Sequence, residues 1–191
     1  MAARNDGIVH DTEDKGWWCL HGERLEHAFI EICNQRLSLD ARINPDKAAN
    51  RYVPDLVVDG RLSDLKVQNT PFFLSSRYDL DPGRCVTFNR KDYERYCRLY
   101  PGIDIYYWVE WTQTTSRFGR VPYLAGIYRL AFQRLAALIE AGAPEHRYVH
   151  REGDSKGNAK SSFLLRLDDF EILMEKTGLA RLETTSIYAN N

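Results

Sequence analysis

The spacing of apolar residues divides this chain into helices and strands before any motif is considered. Over 17–39, Leu25, Phe29, Ile32, Cys33 and Leu37 fall on one stripe, which predicts an amphipathic helix after a polar, loose opening segment, 1–16. Residues 40–50 carry no such pattern and read as a loop. Two runs of branched apolar residues follow, 51–59 and 61–68, and Pro71 ends the second because it cannot donate to a ladder. A short strand is expected at 85–88. A helix over 90–100 comes next, with Asn89 as its N-cap and Pro101-Gly102 as its stop. Residues 104–111, aromatic and β-branched, form the clearest strand after that. A loop (112–121), a long helix (123–141), two strands (146–150 and 162–167) and a final helix (168–176) capped by Asp168 complete the order. The fold class expected is α/β, a central mixed sheet flanked by helices. A single domain over 17–180, with a tail at 181–191, suits a length of 191 residues.

Asp59-Gly60 joins the two branched runs. Asp-Gly between such runs signals a two-residue hairpin, because both turn positions need positive φ. With that turn, Val58 faces Arg61, Val57 faces Leu62, Leu56 faces Ser63, and Asp55 faces Asp64. Side chains alternate across a strand, so Asp55, Asp64, Lys66 and Gln68 share one face. Leu56, Val58, Leu65 and Val67 share the other and can enter a core. Opposed residues bring their Cβ atoms to about 4.5–5.5 Å, where two like charges destabilise a sheet. A cation between the carboxylates removes that repulsion, and Lys66 adds a fixed positive charge on the same face. An ordinary solvated ladder would also gather polar residues on one face, so the register leaves both readings open.

Charge and composition narrow the options. A formal net charge of −1 provides no global basic field for nucleic acid, so an anionic partner must be met by local patches. Arg117 and Arg120 in one loop, and Lys156 and Lys160 in the loop at 151–160, are the candidates for contacts to a phosphate backbone. Cys19, Cys33, Cys85 and Cys97 are scattered without a CxxC pair, so a zinc or iron–sulfur centre is not expected. No G-x-S-x-G elbow, P-loop or G-x-G-x-x-G is present. The aromatic cluster Tyr106, Tyr107, Trp108 and Trp111 reads as core rather than as a stacking platform. The opening residues lack the apolar core of a signal peptide, and no stretch approaches about 18 apolar residues. The expectation is a soluble, cytoplasmic protein with no membrane partner.

Pro54-Asp55 followed by Asp64-Leu65-Lys66 resembles the PD-(D/E)XK signature of the restriction-endonuclease-like nucleases. The order of elements from about Trp17 to Ala141 is similar to their α-β-β-β-α-β core, and Gly22-xxx-Glu26 resembles the first-helix pattern of some members. The resemblance implies a metal-dependent endo- or exodeoxyribonuclease that hydrolyses phosphodiester bonds, in DNA rather than RNA. It implies Mg²⁺ or Mn²⁺ held by Asp55, Asp64 and the Leu65 backbone carbonyl, with Glu26 as a further carboxylate. Lys66 would orient the attacking water or stabilise charge at the phosphate, and Gln68 would contact substrate or a bound water. Many small nucleases of this kind work as homodimers. The alternative is a catalytically inactive module on the same fold that binds nucleic acid or protein; a further rival is an interaction protein of unrelated α/β fold.

Overall fold

The structure, a computed structural model, describes residues 15–50, 52–148 and 161–178. Residues 1–14 of the opening segment, the tail at 181–191 and the two loop lysines Lys156 and Lys160 lie outside the described residues.

Helix α1 (Lys15–Ile32) ends in a π-helical turn, Cys33–Leu37, and Ser38 leaves it in the left-handed region at φ 55°. Asn34 then grips the backbone of Ala41 from both sides: its Oδ1 accepts from the Ala41 N–H at 2.8 Å, and its Nδ2 donates to the Ala41 carbonyl at 3.1 Å. That anchor turns part of the expected loop into strand β1 (Ala41–Ile43), which pairs antiparallel with β2 (Leu56–Val58). A single 3₁₀ turn, Pro45–Ala48, connects the two strands. Strand β3 (Arg61–Gln68) completes the hairpin in the expected register, Leu56 opposite Ser63, Val57 opposite Leu62 and Val58 opposite Arg61. Asp59 and Gly60 take φ 48° and 77°, as their turn requires.

Strand β4 (Cys85–Asn89) runs into helix α2 (Arg90–Leu99), whose first turn is capped by Asn89 Oδ1 accepting from the Lys91 N–H at 2.8 Å. Strand β5 (Asp104–Glu110) and a small hairpin of β6 (Thr115–Ser116) and β7 (Gly119–Arg120) follow. Next come β8 (Tyr123–Ala131), helix α3 (Phe132–Glu140), β9 (Glu145–His146), β10 (Ser162–Arg166) and β11 (Glu171–Gly178).

Two expectations are corrected here. The helix expected over 123–141 is a strand for its first half, and the helix expected over 168–176 is a 3₁₀ turn, Leu167–Asp169, followed by β11. The first follows from the place of β8 in the sheet, and the second from the free edge that β8 offers to β11. Strand β8 lies between β5 and β11, buried on both faces, so its apolar residues run on without the period-two alternation that marks a half-exposed strand. Gly126 marks the strand locally, since a Cβ there would stand 2.7 Å from the Met174 carbonyl oxygen of β11.

The main sheet has six strands in the order β1-β2-β3-β5-β8-β11, with β5 parallel to β3 and the other neighbours antiparallel. Helix α1 covers one face, where Phe29 and Ile32 pack on Leu56, Val58, Leu65, Trp108 and Ile127. The other face is covered by α2, α3 and a three-stranded sheet, β4-β10-β9, over Ile105, Tyr107, Val109 and Tyr128. The aromatic run of β5 therefore divides between two cores, as its alternation demands. Among the described residues, no helix is long and apolar enough to cross a membrane.

Candidate functional site

The last ladder pair between β2 and β3 is Leu56 with Ser63. Beyond it the hairpin opens: the chain before Leu56 turns back toward the Pro45–Ala48 segment, while β3 continues to Gln68 alongside β5. Asp55 and Asp64 are the first residues past this opening, and their carboxyls stand within hydrogen-bonding reach of each other. The strand expected over 51–59 is only Leu56–Val58, so the expected cross-strand pair of Asp55 with Asp64 is not formed; the two carboxyls come together instead where the sheet parts.

Asp64 is 3% exposed. Burial pushes its carboxyl above the usual range, Lys66 pulls it partly back, and the nearby Asp55 charge pushes it up again. Its Oδ2 lies 2.7 Å from Lys66 Nζ yet has no well-aligned hydrogen-bond partner among the described residues. Lys66 extends over the α2 face, 5.9 Å from the ring centres of Phe88 and Tyr96, and donates to Asp92 Oδ2 at 2.7 Å. Burial alone would lower the Lys66 pKa, but Asp64 and Asp92 outweigh it and hold the ammonium well above its ordinary value. Lys66 is thus a permanent cation near neutral pH.

Three participants escaped the sequence reading. Asp92 sits in the first turn of α2, one helix away from the motif, and Arg95 one turn on donates from Nη2 to Asp92 Oδ1 at 3.0 Å and to the Tyr96 hydroxyl at 2.7 Å. The Arg95 Nε is buried and has no partner among the described residues. The third is Lys47, whose ammonium lies 2.5 Å from Glu26 Oε1 and 2.8 Å from Asp55 Oδ1. Burial works against the Lys47 charge, but hydrogen bonds to Asp55 and Glu26 raise its pKa above the ordinary value. The helix spacing of Arg95 from Asp92 was visible in the sequence. Nothing in the local pattern of 40–50 pointed to Lys47.

The remaining expected residues have distinct placements. Glu26 on α1 meets Asp55 through Lys47, and Leu65 turns its side chain into the α1-facing core between the two polar residues. Gln68 Oε1 accepts from the Thr87 N–H at 3.0 Å, which ties β3 to β4. Arg117 and Arg120 lie on the exposed β6–β7 hairpin, with the Arg117 guanidinium 4.7 Å from the Phe118 ring centre and Arg77 approaching the same ring at 5.8 Å.

Glu26, Asp55, Asp64 and Asp92 face Lys47, Lys66 and Arg95, which leaves one carboxylate charge in excess. Among the described residues, no three His, Cys, Asp or Glu side chains converge on a single point for a metal. Asp55 and Asp64 are the carboxylates that would hold a hard cation, which takes one or two carboxylates and keeps several waters, and such a cation would have to take the place of the Lys66 ammonium at Asp64 Oδ2. No family model matches the chain, and no curated protein or solved structure shows significant similarity to it.

Proposed function

We propose that the chain is a metal-dependent nuclease of the restriction-endonuclease-like type, hydrolysing phosphodiester bonds in DNA. The observation that carries this reading is the cluster of Asp55, Asp64 and Lys66 at the opening of the β2–β3 hairpin. Chain order is compatible with it: α1, β1, β2 and β3 come first, β4 of the smaller sheet intervenes, and α2 then leads into β5, which runs parallel to β3 beside the cluster.

Phosphodiester hydrolysis needs an activated water and positive charge where the phosphoryl oxygens gain electron density. A divalent cation, Mg²⁺ or Mn²⁺, would be held by Asp55 and Asp64 and would supply Lewis acidity and a more acidic water. Lys66 remains protonated, so it serves as hydrogen-bond donor and charge rather than as base: it orients the attacking water or holds a phosphoryl oxygen. Asp92 keeps the ammonium in place and is itself held by Arg95. Away from the chemistry, Arg117 and Arg120 would contact the backbone of the nucleic acid, and the exposed Phe118 ring offers a stacking surface.

A second reading has a specific observation in its favour. Lysines already neutralise the expected ligand carboxylates, which also suits an inactive nucleic-acid- or protein-binding module on the same fold. One experiment separates the two. Wild type, Asp64→Asn and Lys66→Met are incubated with linear, circular, branched and single-stranded DNA, and with RNA, in Mg²⁺, Mn²⁺ or EDTA. Cleavage of DNA by wild type alone, and only with metal, is expected. Undiminished cleavage by both variants, or none by wild type on any substrate, would sink the nuclease reading.

A further inference from the structure

We propose that Lys47 is a built-in counter-ion that holds the place of a divalent cation between Glu26 and Asp55 and competes with the metal for both carboxylates. This rests on the nuclease reading above. The two carboxylates come from different elements, α1 and the residue preceding β2, and the Lys47 ammonium bridges them at 2.5 and 2.8 Å. Without a cation between them, two such groups would repel one another in a partly dry pocket.

The backbone delivering this lysine is fixed to one of its targets. Asn44 is buried, and its Nδ2 donates to the Pro54 carbonyl at 2.8 Å. Its own N–H donates to the Asp55 carbonyl at 3.0 Å, and its Oδ1 caps the 3₁₀ turn that carries Lys47. The turn and Asp55 are therefore joined through the backbone, and the long stem of Lys47 can swing without breaking those bonds. Its side chain is 21% exposed, so the ammonium has a route to solvent.

A divalent cation bound to Asp55 at about 2.0–2.1 Å cannot share that oxygen with an ammonium in hydrogen-bond contact without strong cation–cation repulsion. Metal entry therefore displaces Lys47 from Asp55, from Glu26, or from both. Metal affinity is lowered by whatever the lysine contributes, and the empty site is kept folded by the same contacts.

Calorimetric titration of the full chain with Mn²⁺ tests this, alongside thermal melting in EDTA and in saturating Mn²⁺. Lys47→Met is expected to bind Mn²⁺ about fivefold more tightly than wild type, the factor carried by a modest ion pair. It should also melt earlier than wild type in EDTA and recover when Mn²⁺ is added, whereas Lys47→Arg should follow wild type. If Lys47→Met does not fold, Lys47→Gln, which keeps a hydrogen-bond donor without the charge, takes its place in the comparison. Unchanged or weaker Mn²⁺ binding by the neutral variant, with wild-type binding still lost in Asp64→Asn, overturns the role of Lys47 alone. Absence of any saturable Mn²⁺ binding by wild type overturns the nuclease reading and this role together.

Discussion

Asp92, in the first turn of α2, holds the Lys66 ammonium at 2.7 Å, the same distance at which Asp64 reaches it from β3. The lysine is clamped between sheet and helix, and its tip cannot drift without breaking one of two ion pairs. Asn89 sets the start of α2, so the cap of that helix fixes where Asp92 stands.

On the nuclease reading, Asp92→Asn should therefore lower turnover without unfolding the protein. The amide still hydrogen-bonds but no longer balances the ammonium, and a catalytic group displaced by about 1 Å loses roughly a hundredfold in rate. The check is kcat and KM on a cleaved DNA substrate beside a melting curve: a drop in kcat with little change in KM is expected, and an unaltered kcat would remove Asp92 from the site.

On the nuclease reading, Asp64→Asn should abolish metal-dependent cleavage, and it should make the metal-free protein more stable. Burial holds the Asp64 carboxyl above its ordinary range, so its charged form is disfavoured in the fold, and one of its oxygens lacks an aligned donor. Removing that charge beside Asp55 relieves the strain while Lys66 keeps Asp92. A gain of about 1 kcal/mol would raise the melting midpoint in EDTA by roughly 2–4 °C for a chain of this size. A lower midpoint would mean that the Asp64–Lys66 pair outweighs the cost of burial.

Glu145 on β9 receives a bidentate grip from Arg90, Nε to Oε1 at 2.6 Å and Nη2 to Oε2 at 2.5 Å, which pulls its carboxyl down to about 2. Because the folded value lies below the ordinary 4.5, the stabilisation is complete above that value and fades as pH falls toward 2. Arg90 is 41% exposed, so solvent screening keeps the contribution to no more than about 1 kcal/mol. Denaturant melts of wild type and Glu145→Gln should differ at pH 7 and converge near pH 2. A gap that persists at low pH would point to a cause other than ionisation.

Gly126→Ala should destabilise the fold by about 1–3 kcal/mol through overpacking. The added methyl would meet the Met174 carbonyl oxygen at 2.7 Å and the Tyr128 ring at 2.9 Å, in the middle of the β8–β11 pairing. A melting midpoint equal to that of wild type would count against this close packing.

Much of the site was legible because its signals are local. The Asp59-Gly60 turn sets the register of β2 against β3, and strand alternation then places Asp64 and Lys66 on one face with no tertiary information. The Asn89 cap and the Pro101-Gly102 stop bounded α2 for the same reason, and Asp104–Glu110 declared itself by composition. By contrast, the apolar run at 123–131 suits a buried strand or a helix equally, and only a place between β5 and β11 made it a strand. Strand β11 likewise exists because β8 offers it an edge, with a bulge between Ile172 and Met174 absorbing its irregular pattern.

The sequence by itself determined the hairpin turn, its register and the placing of Asp64 and Lys66 on one face, because each depends on residues close in the chain. Tertiary structure alone decided what surrounds them. Asp92 and Arg95 arrive on a helix that packs across the sheet, and Lys47 arrives on a short turn tied to Asp55 through Asn44. The distances at which those charges meet are set by how the layers stack and by where the hairpin parts, and a one-dimensional pattern carries neither.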